Sequence, residues 1–268
     1  MVTTTTSTRP VGDLLRDWRH RRRLSQLELA LDADVSTRHL SFVETGRSHP
    51  SREMVLRLAE RLDVPLRERN DLLIAAGYAP VYSQRSIDAP EMGPARQALV
   101  RVLDGHEPYP ALVVDRFWNL VMANNAAMLF LEDVPDELVR PPVNVHRLAL
   151  HPKGLASRVV NLPEVRAHLV ARMARQVSLT GDPELAALHE ETKAYGPDVN
   201  EDPAHGSTYD IALPTSLRYG DRVLSFFSTV TTFGAAADIT LAELAIEAFF
   251  PADDETAAVL RERAESGH

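Results

Sequence analysis

The 268-residue chain has no cysteine. That excludes disulfides and thiolate metal sites, and it fits a reducing compartment. Lysine occurs only as Lys153 and Lys193, so the cations are otherwise all arginine. No stretch approaches the ~20 consecutive apolar residues of a membrane helix. The opening MVTTTTSTRP has no apolar signal region, so a cytoplasmic protein without a membrane partner is expected. Catalytic patterns are missing too. There is no HExxH, no Gly-x-Ser-x-Gly elbow, no GxGxxG and no phosphate loop. His189-Glu190-Glu191 lacks a second histidine at helical spacing and reads as a solvated helix face. His205-Gly206-Ser207 is no nucleophile elbow. An acid beside His146 and His151 would make a metal site, but loop histidines near proline are more often structural. We therefore expect no catalytic residue, no metal and no cofactor.

What is present divides in two. The length favours two domains, and 44% hydrophobic residues suffice for real cores. The net charge of −9 looks wrong for a nucleic-acid binder until it is split. Residues 1–80 hold 13 arginines against 11 acids, or +2, and the remainder holds 16 cations against 27 acids, or −11. Such asymmetry suits a chain whose first part faces DNA and whose second part does not.

The stretch Leu24 to Gly46 reads as a helix-turn-helix. Ser25 caps a short helix over Gln26 to Asp32, Ala33-Asp34-Val35 turns, and Ser36 caps a second helix over Thr37 to Glu44. Gly46 suits the left-handed stop. The apolar set is Leu27, Ala30, Leu31, Val35, Leu40 and Val43. Leu40 and Val43 share the inward face, so Thr37, Arg38, Ser41 and Phe42 turn outward together. Arginine with short polar and apolar groups suits a major groove. Periodicity alone leaves a helical hairpin of some other bundle equally open.

Around this core, residues 1–10 read as a disordered tail. Val11, Leu14, Leu15 and Trp18 stripe a first helix that ends in Arg19-His20-Arg21-Arg22-Arg23, either a solvated basic end or, favoured here, a phosphate contact. Met54, Leu58 and Leu62 mark a fourth helix, and Leu66 to Ala76 a fifth. Residues 79–94 hold three prolines and little periodicity, as a linker would. Beyond it come a helix from Ala95 and strands at Ala111 to Val114 and Trp118 to Met122 around an Asp115-Arg116 turn. A short helix follows at Asn124 to Leu131, then an irregular stretch from Pro135 to Pro152. Helical periodicity runs from Pro163 to Tyr195, split at Gly181-Asp182-Pro183, and Pro197 to Gly206 is loop. A hairpin is expected over Tyr209 to Leu217 and Arg222 to Phe233. The capping box Thr240-Leu241-Ala242-Glu243 predicts a helix reaching Phe249-Phe250, and a last helix starts near Asp253.

Gln26, Glu28-Leu29-Ala30, Val35-Ser36, Glu44, Gly46-Arg47 and Pro50-Ser51 resemble the lambda-repressor-like, or XRE-type, DNA-binding domain over residues 11–78. Asp34 stands where that family usually has glycine, and Asp tolerates a left-handed backbone. Further on, Asp104-Gly105-His106, Pro110-Ala111, Trp118-Asn119, Asn124, Asn144-Val145-His146-Arg147-Leu148, His151-Pro152, Leu155 and Leu224-Ser225-Phe226-Phe227-Ser228 resemble the ligand-binding domain of MmyB-like transcription regulators, from about residue 95 to 263. That resemblance implies a PAS-like sheet with an apolar pocket for fatty-acid-like ligands. Val165 departs from it, since family members often have tryptophan there. The expected fold is an all-α N-terminal five-helix lambda-repressor-like domain (11–78), a linker (79–94) and an α+β PAS-like domain (95–268) for ligand binding and dimerisation.

For double-stranded DNA, Thr37, Arg38, Ser41 and Phe42 are candidates for base edges, Phe42 being alternatively a packing residue. Gln26 and Ser36 at helix N-termini, with the charges of Arg21 and Arg47, are candidates for the phosphates, and His39 and Arg52 for contacts at the rim. Such domains usually act as homodimers on palindromic sites. For the ligand, Trp118, Phe130, Phe226, Phe227 and Phe249 are candidates, although each serves equally as core. Phe226 and Phe227 alternate along a strand, so at most one is expected to line a given cavity. His146 or Arg147 is a candidate for a ligand carboxylate, or simply for an ion pair. A regulator with a ligand sensor is the leading reading. A DNA-anchored protein-interaction module is the alternative, and a cavity of ~300 Å³ or more separates them. An enzyme is third.

Overall fold

Serine hydroxyls set the first helical frame. Ser25, Ser36 and Ser51 accept the backbone N–H of Glu28, His39 and Met54, each three residues on, satisfying a donor that a helix start otherwise leaves open. The structure, a computed structural model, describes residues 9–197, 214–234 and 236–267. Five helices come first: α1 (Val11–Arg21), α2 (Gln26–Asp32), α3 (Thr37–Glu44), α4 (Arg52–Arg61) and α5 (Leu66–Ala75). Glu28 completes the Ser25 capping box by accepting the Ser25 N–H at 2.7 Å. Asp34 sits at φ +52°, the left-handed conformation the α2–α3 turn needs.

These helices enclose one core, with Leu15, Leu29, Leu40, Val55, Leu58, Leu62, Leu72 and Leu73 almost wholly buried. At Gly12, α1 lies too close to the end of α3 for a side chain. A Cβ there would lie 2.3 Å from the Val43 carbonyl oxygen. Two expectations are corrected. Leu27 and Leu31 are 57% and 73% exposed, because the inward side of α2 is taken by Leu29, Ala30 and Ala33, and a residue two positions away lies across the helix. The basic run at the end of α1 is also not one phosphate-facing patch. Arg19 is buried against Glu44, and Arg22 donates to the Leu62 and Asp63 carbonyls at 2.8 Å each.

The described chain divides into two compact units, one holding residues 9–85 with 236–242 and the other 86–197, 214–234 and 243–267. Within the first, Asn70 Oδ1 accepts the Val81 and Tyr82 N–H groups. Buried Asp238 accepts the Ser83 hydroxyl at 2.9 Å and an Arg85 N–H at 3.2 Å. A segment more than 150 residues downstream is thereby part of the helical unit.

The second unit begins with α6 (Gly93–Gly105), followed by β1 (Ala111–Val114) and β2 (Leu120–Ala123). After a 3-10 turn at Ala126–Leu131 come α7 (Asp136–Val139), α8 (Val145–Leu150), α9 (Leu162–Thr180) and α10 (Pro183–Lys193). Then follow β3 (Thr215–Tyr219), β4 (Arg222–Thr232), α11 (Ile239–Glu243), which straddles the division, β5 (Ala245–Pro251) and α12 (Asp254–Glu265). The sheet is antiparallel throughout, in the order β2-β1-β5-β4-β3. It fits the expected α+β, PAS-like half.

The largest correction is at residues 245–251. The predicted helix to Phe249-Phe250 stops at Glu243, and the rest is the central strand of the sheet. β5 pairs with both β1 and β4, and those two ladders outweigh the local capping signal. Trp118 lies in the β1–β2 turn and not in a strand. The irregular stretch 135–152 contains α7 and α8, the latter capped by Asn144, whose side chain accepts the Arg147 N–H at 3.1 Å. The expected loop at 198–206, with His205, and the expected strand residues 209–213 lie outside the described residues.

Candidate nucleic-acid interface and ligand cavity

α3 is held by its ends. Glu44, at its last turn, receives Arg19 Nε and Nη2 at 2.7 and 2.8 Å and Gln26 Nε2 at 2.8 Å. Leu40 and Val43 fill the core, so the opposite face is left for solvent. There Arg38 is exposed, while Thr37, Ser41 and Phe42 are half-buried. The Arg38 and Arg47 guanidinium carbons lie 5.3 and 6.0 Å from the Phe42 ring centroid, so two cations flank one aromatic edge. Ser36 is exposed at the α3 N-cap and Arg52 at the start of α4. His39 is half-buried. Arg21 lies over Trp18. Gln26 uses one side-chain N–H on Glu44 and keeps a second.

In the second unit, one face of the sheet closes a cavity of about 290 Å³, near the lower end of small-molecule sites (~300 Å³). Cross-strand register explains its wall. Leu112 is opposite both Ala123 and Glu247, and Ser228 is opposite Phe249. Residues two apart along a strand share a face, which adds Phe226 and Thr215. α9 supplies Val165, His168, Leu169 and Arg172, spaced as one side of a helix. The 3-10 turn and α8 add Phe130 and His146 among others.

The structure thus places Phe130, His146, Phe226, Phe227 and Phe249 on the cavity wall. Both adjacent phenylalanines border it, yet their rings alternate as expected: Phe226 meets Phe130 and Phe249, while Phe227 stacks on Phe250. Arg147 is elsewhere, pairing through Nε and Nη2 with Glu191 at 2.7 and 2.8 Å. Trp118 stands behind the wall. Its ring meets His146 edge-on at 4.7 Å between centroids, the Arg172 guanidinium covers it at 4.3 Å, and its Nε1 donates to Gln176 at 2.8 Å.

Trp118 has φ +64°, a strained backbone for a bulky residue. Asp115 holds the turn by accepting the Phe117 and Asn119 N–H groups at 2.8 Å, and Asn144 caps the Phe117 carbonyl.

Sequence reasoning missed the polar part of the wall: Arg172, His168, Glu247 and Ser228. The signal for the first two was their four-residue spacing beside Val165 and Leu169. Arg172 Nη1 lies 3.5 Å from Glu247 Oε1, which also accepts the Ser228 hydroxyl at 3.1 Å. His146 is buried, and its Nδ1 has no hydrogen-bond partner. Burial first, then the charges of Arg172 and His168, push its pKa down to about 3. His168 is lowered by burial and by Arg172 and Arg175.

A test follows from His146. The unfolded chain takes up a proton near 6.5 and the folded chain only near 3, so stability is full above 6.5 and falls as pH drops below it. Between about pH 7.5 and about pH 5, the urea midpoint of the second unit should drop less in His146→Gln than in the wild type. Equal drops would show that His146 does not carry the effect.

Among the described residues there is no group of His, Asp and Glu placed to hold a metal ion, and no helix long and apolar enough to cross a membrane. A search of curated proteins finds no match. Two family models do match. One, described as a helix-turn-helix domain, covers residues 10–72, the helical unit built around α2 and α3. The other, described as the MmyB-like transcription regulator ligand binding domain, covers residues 95–262, the sheet with its cavity. With well over half of its length so matched, the chain belongs to the MmyB-like transcription regulators, and it is a DNA-binding regulator with a ligand-binding domain.

Proposed function

We propose that the protein binds a specific operator through the outward face of α3 and that a small apolar molecule in the cavity changes its affinity for that operator. In this reading Thr37, Arg38, Ser41 and Phe42 meet base edges in the major groove. Gln26, Ser36, Arg47 and Arg21 meet phosphates on either side, with His39 and Arg52 at the rim. The protein acts as a homodimer on a palindromic site, with half-sites about 34–36 Å apart. The observation that carries the DNA reading is the exposed Arg38, flanked with Arg47 on Phe42, on a helix whose other side is locked to the core. The cavity, walled mainly by aliphatic and phenylalanine side chains, supports a ligand over a second protein. The family resemblance makes fatty-acid-like chains the class to try first.

Selection from a random duplex library with the purified chain would yield the operator. Against it, Arg38→Ala should lose ~1–3 kcal/mol of binding and relax the preference at one base pair. Uniform weakening across all sequences would instead make Arg38 a phosphate contact. No selectable sequence at all would defeat the operator reading.

A further inference from the structure

One end of the cavity is polar, built from Arg172, Glu247, Ser228 and two histidines. We infer that the cavity takes an amphiphile with a neutral head group that both donates and accepts hydrogen bonds, such as a primary amide or an alcohol, in preference to a carboxylate. This rests on the cavity being a ligand site.

The charges decide it. Among the described residues the wall carries one guanidinium, Arg172, and one carboxylate, Glu247, in contact at 3.5 Å. Arg172 is fixed from behind by stacking on Trp118 at 4.3 Å. Glu247 is 9% exposed, sits mid-strand in β5 and takes the Ser228 hydroxyl. The two histidines of the wall, His146 and His168, both have lowered pKa values, so they add no positive charge. The polar end is therefore already charge-balanced.

An anionic head group reaching Arg172 would lie beside Glu247, and like charges a few ångströms apart in a partly desolvated site repel strongly. A neutral head group avoids that. Its carbonyl or hydroxyl oxygen accepts from Arg172, which donates no hydrogen bond to the described residues. Its own N–H or O–H donates to Glu247, whose Oε2 accepts none from them. The buried, unpartnered Nδ1 of His146 is a second sign of an unmet polar complement on this wall.

The test is calorimetric titration of the full, delipidated chain with decanamide, decan-1-ol and decanoate at a pH where decanoate is ionised. In the wild type, decanamide and decan-1-ol should bind at least about tenfold more tightly than decanoate. Glu247→Gln removes the repelling charge and leaves Arg172 unneutralised, so it should close or reverse that gap. Decanoate binding most tightly to the wild type overturns the inference while leaving the ligand site standing. So does a gap that Glu247→Gln leaves unchanged. Binding by none of the three removes the ligand site and this inference together. If Glu247→Gln does not fold, the wild-type order alone decides.

Discussion

Arg19→Ala is expected to cost the helical unit about 3–5 kcal/mol, the usual loss when one partner of a buried ion pair is removed. A small domain has only about 5–15 kcal/mol in all, so most of its margin would go. Arg19 and Glu44 are 7% and 2% exposed and joined by two hydrogen bonds of 2.7 and 2.8 Å. Arg19 also caps the Leu24 carbonyl at 2.9 Å. Its loss strands a carboxylate in the interior at the end of α3, the helix proposed to read DNA. Operator binding should fall with stability. Replacing both partners, Arg19→Met with Glu44→Leu, removes the stranded charge and should recover much of the stability.

Urea unfolding followed by circular dichroism reads both variants, and a loss below about 1 kcal/mol would put this pair with solvent-exposed ones. Acid should act in the same direction. Burial alone would raise the Glu44 pKa, but the hydrogen bonds from Arg19 and Gln26 and the Arg19 charge outweigh it and hold it below the usual carboxylate range. The pair's contribution is therefore complete above the ordinary carboxylate pKa and is lost as pH falls through the lower folded-state value.

Phe226→Ala should be the most damaging single change in the second unit, at about 3–5 kcal/mol. The ring is 1% exposed, on the cavity face of β4, with Phe130 and Phe249 edge-on at 5.8 and 6.5 Å. Its removal takes away both the packing between sheet and helices and part of the cavity wall. If enough of the fold survives, the enlarged cavity should favour longer or bulkier apolar chains. Thermal unfolding and titration with alkyl chains of increasing length measure the two effects. A stable variant with unchanged chain-length preference would show that Phe226 neither supports the sheet nor bounds the ligand. Phe227→Ala is the control: Phe227 is half-buried and stacked on Phe250 at 5.2 Å, so its loss should cost less.

The two halves were legible to different depths. In the helical unit the caps are local, each serine bonding an amide three residues away, and Asp34 needs only its own backbone to turn left-handed. The signal there lies within a few residues, where the sequence can be read. Leu27 and Leu31 escaped that reading, because α2 is too short for periodicity to fix which side faces in. In the second unit, Thr240 to Glu243 does start a helix, but no local pattern announces that it ends before Ala245. β5 is a strand only because β1 and β4 lie on either side of it.

The amino-acid sequence by itself determined the two-part division of charge, the helix-turn-helix with its capped ends, the break at Gly181-Asp182-Pro183 and the families to which each half is similar. Only the tertiary structure decided that Arg19 is a buried partner of Glu44 and not part of an exposed basic end, that Asp238 belongs with Ser83 and Arg85, and that Arg172 meets Glu247 on the cavity wall. Periodicity reports which way a side chain leaves its own helix or strand. It carries no information on what stands opposite, and a charge buried between elements depends on that partner for its energy.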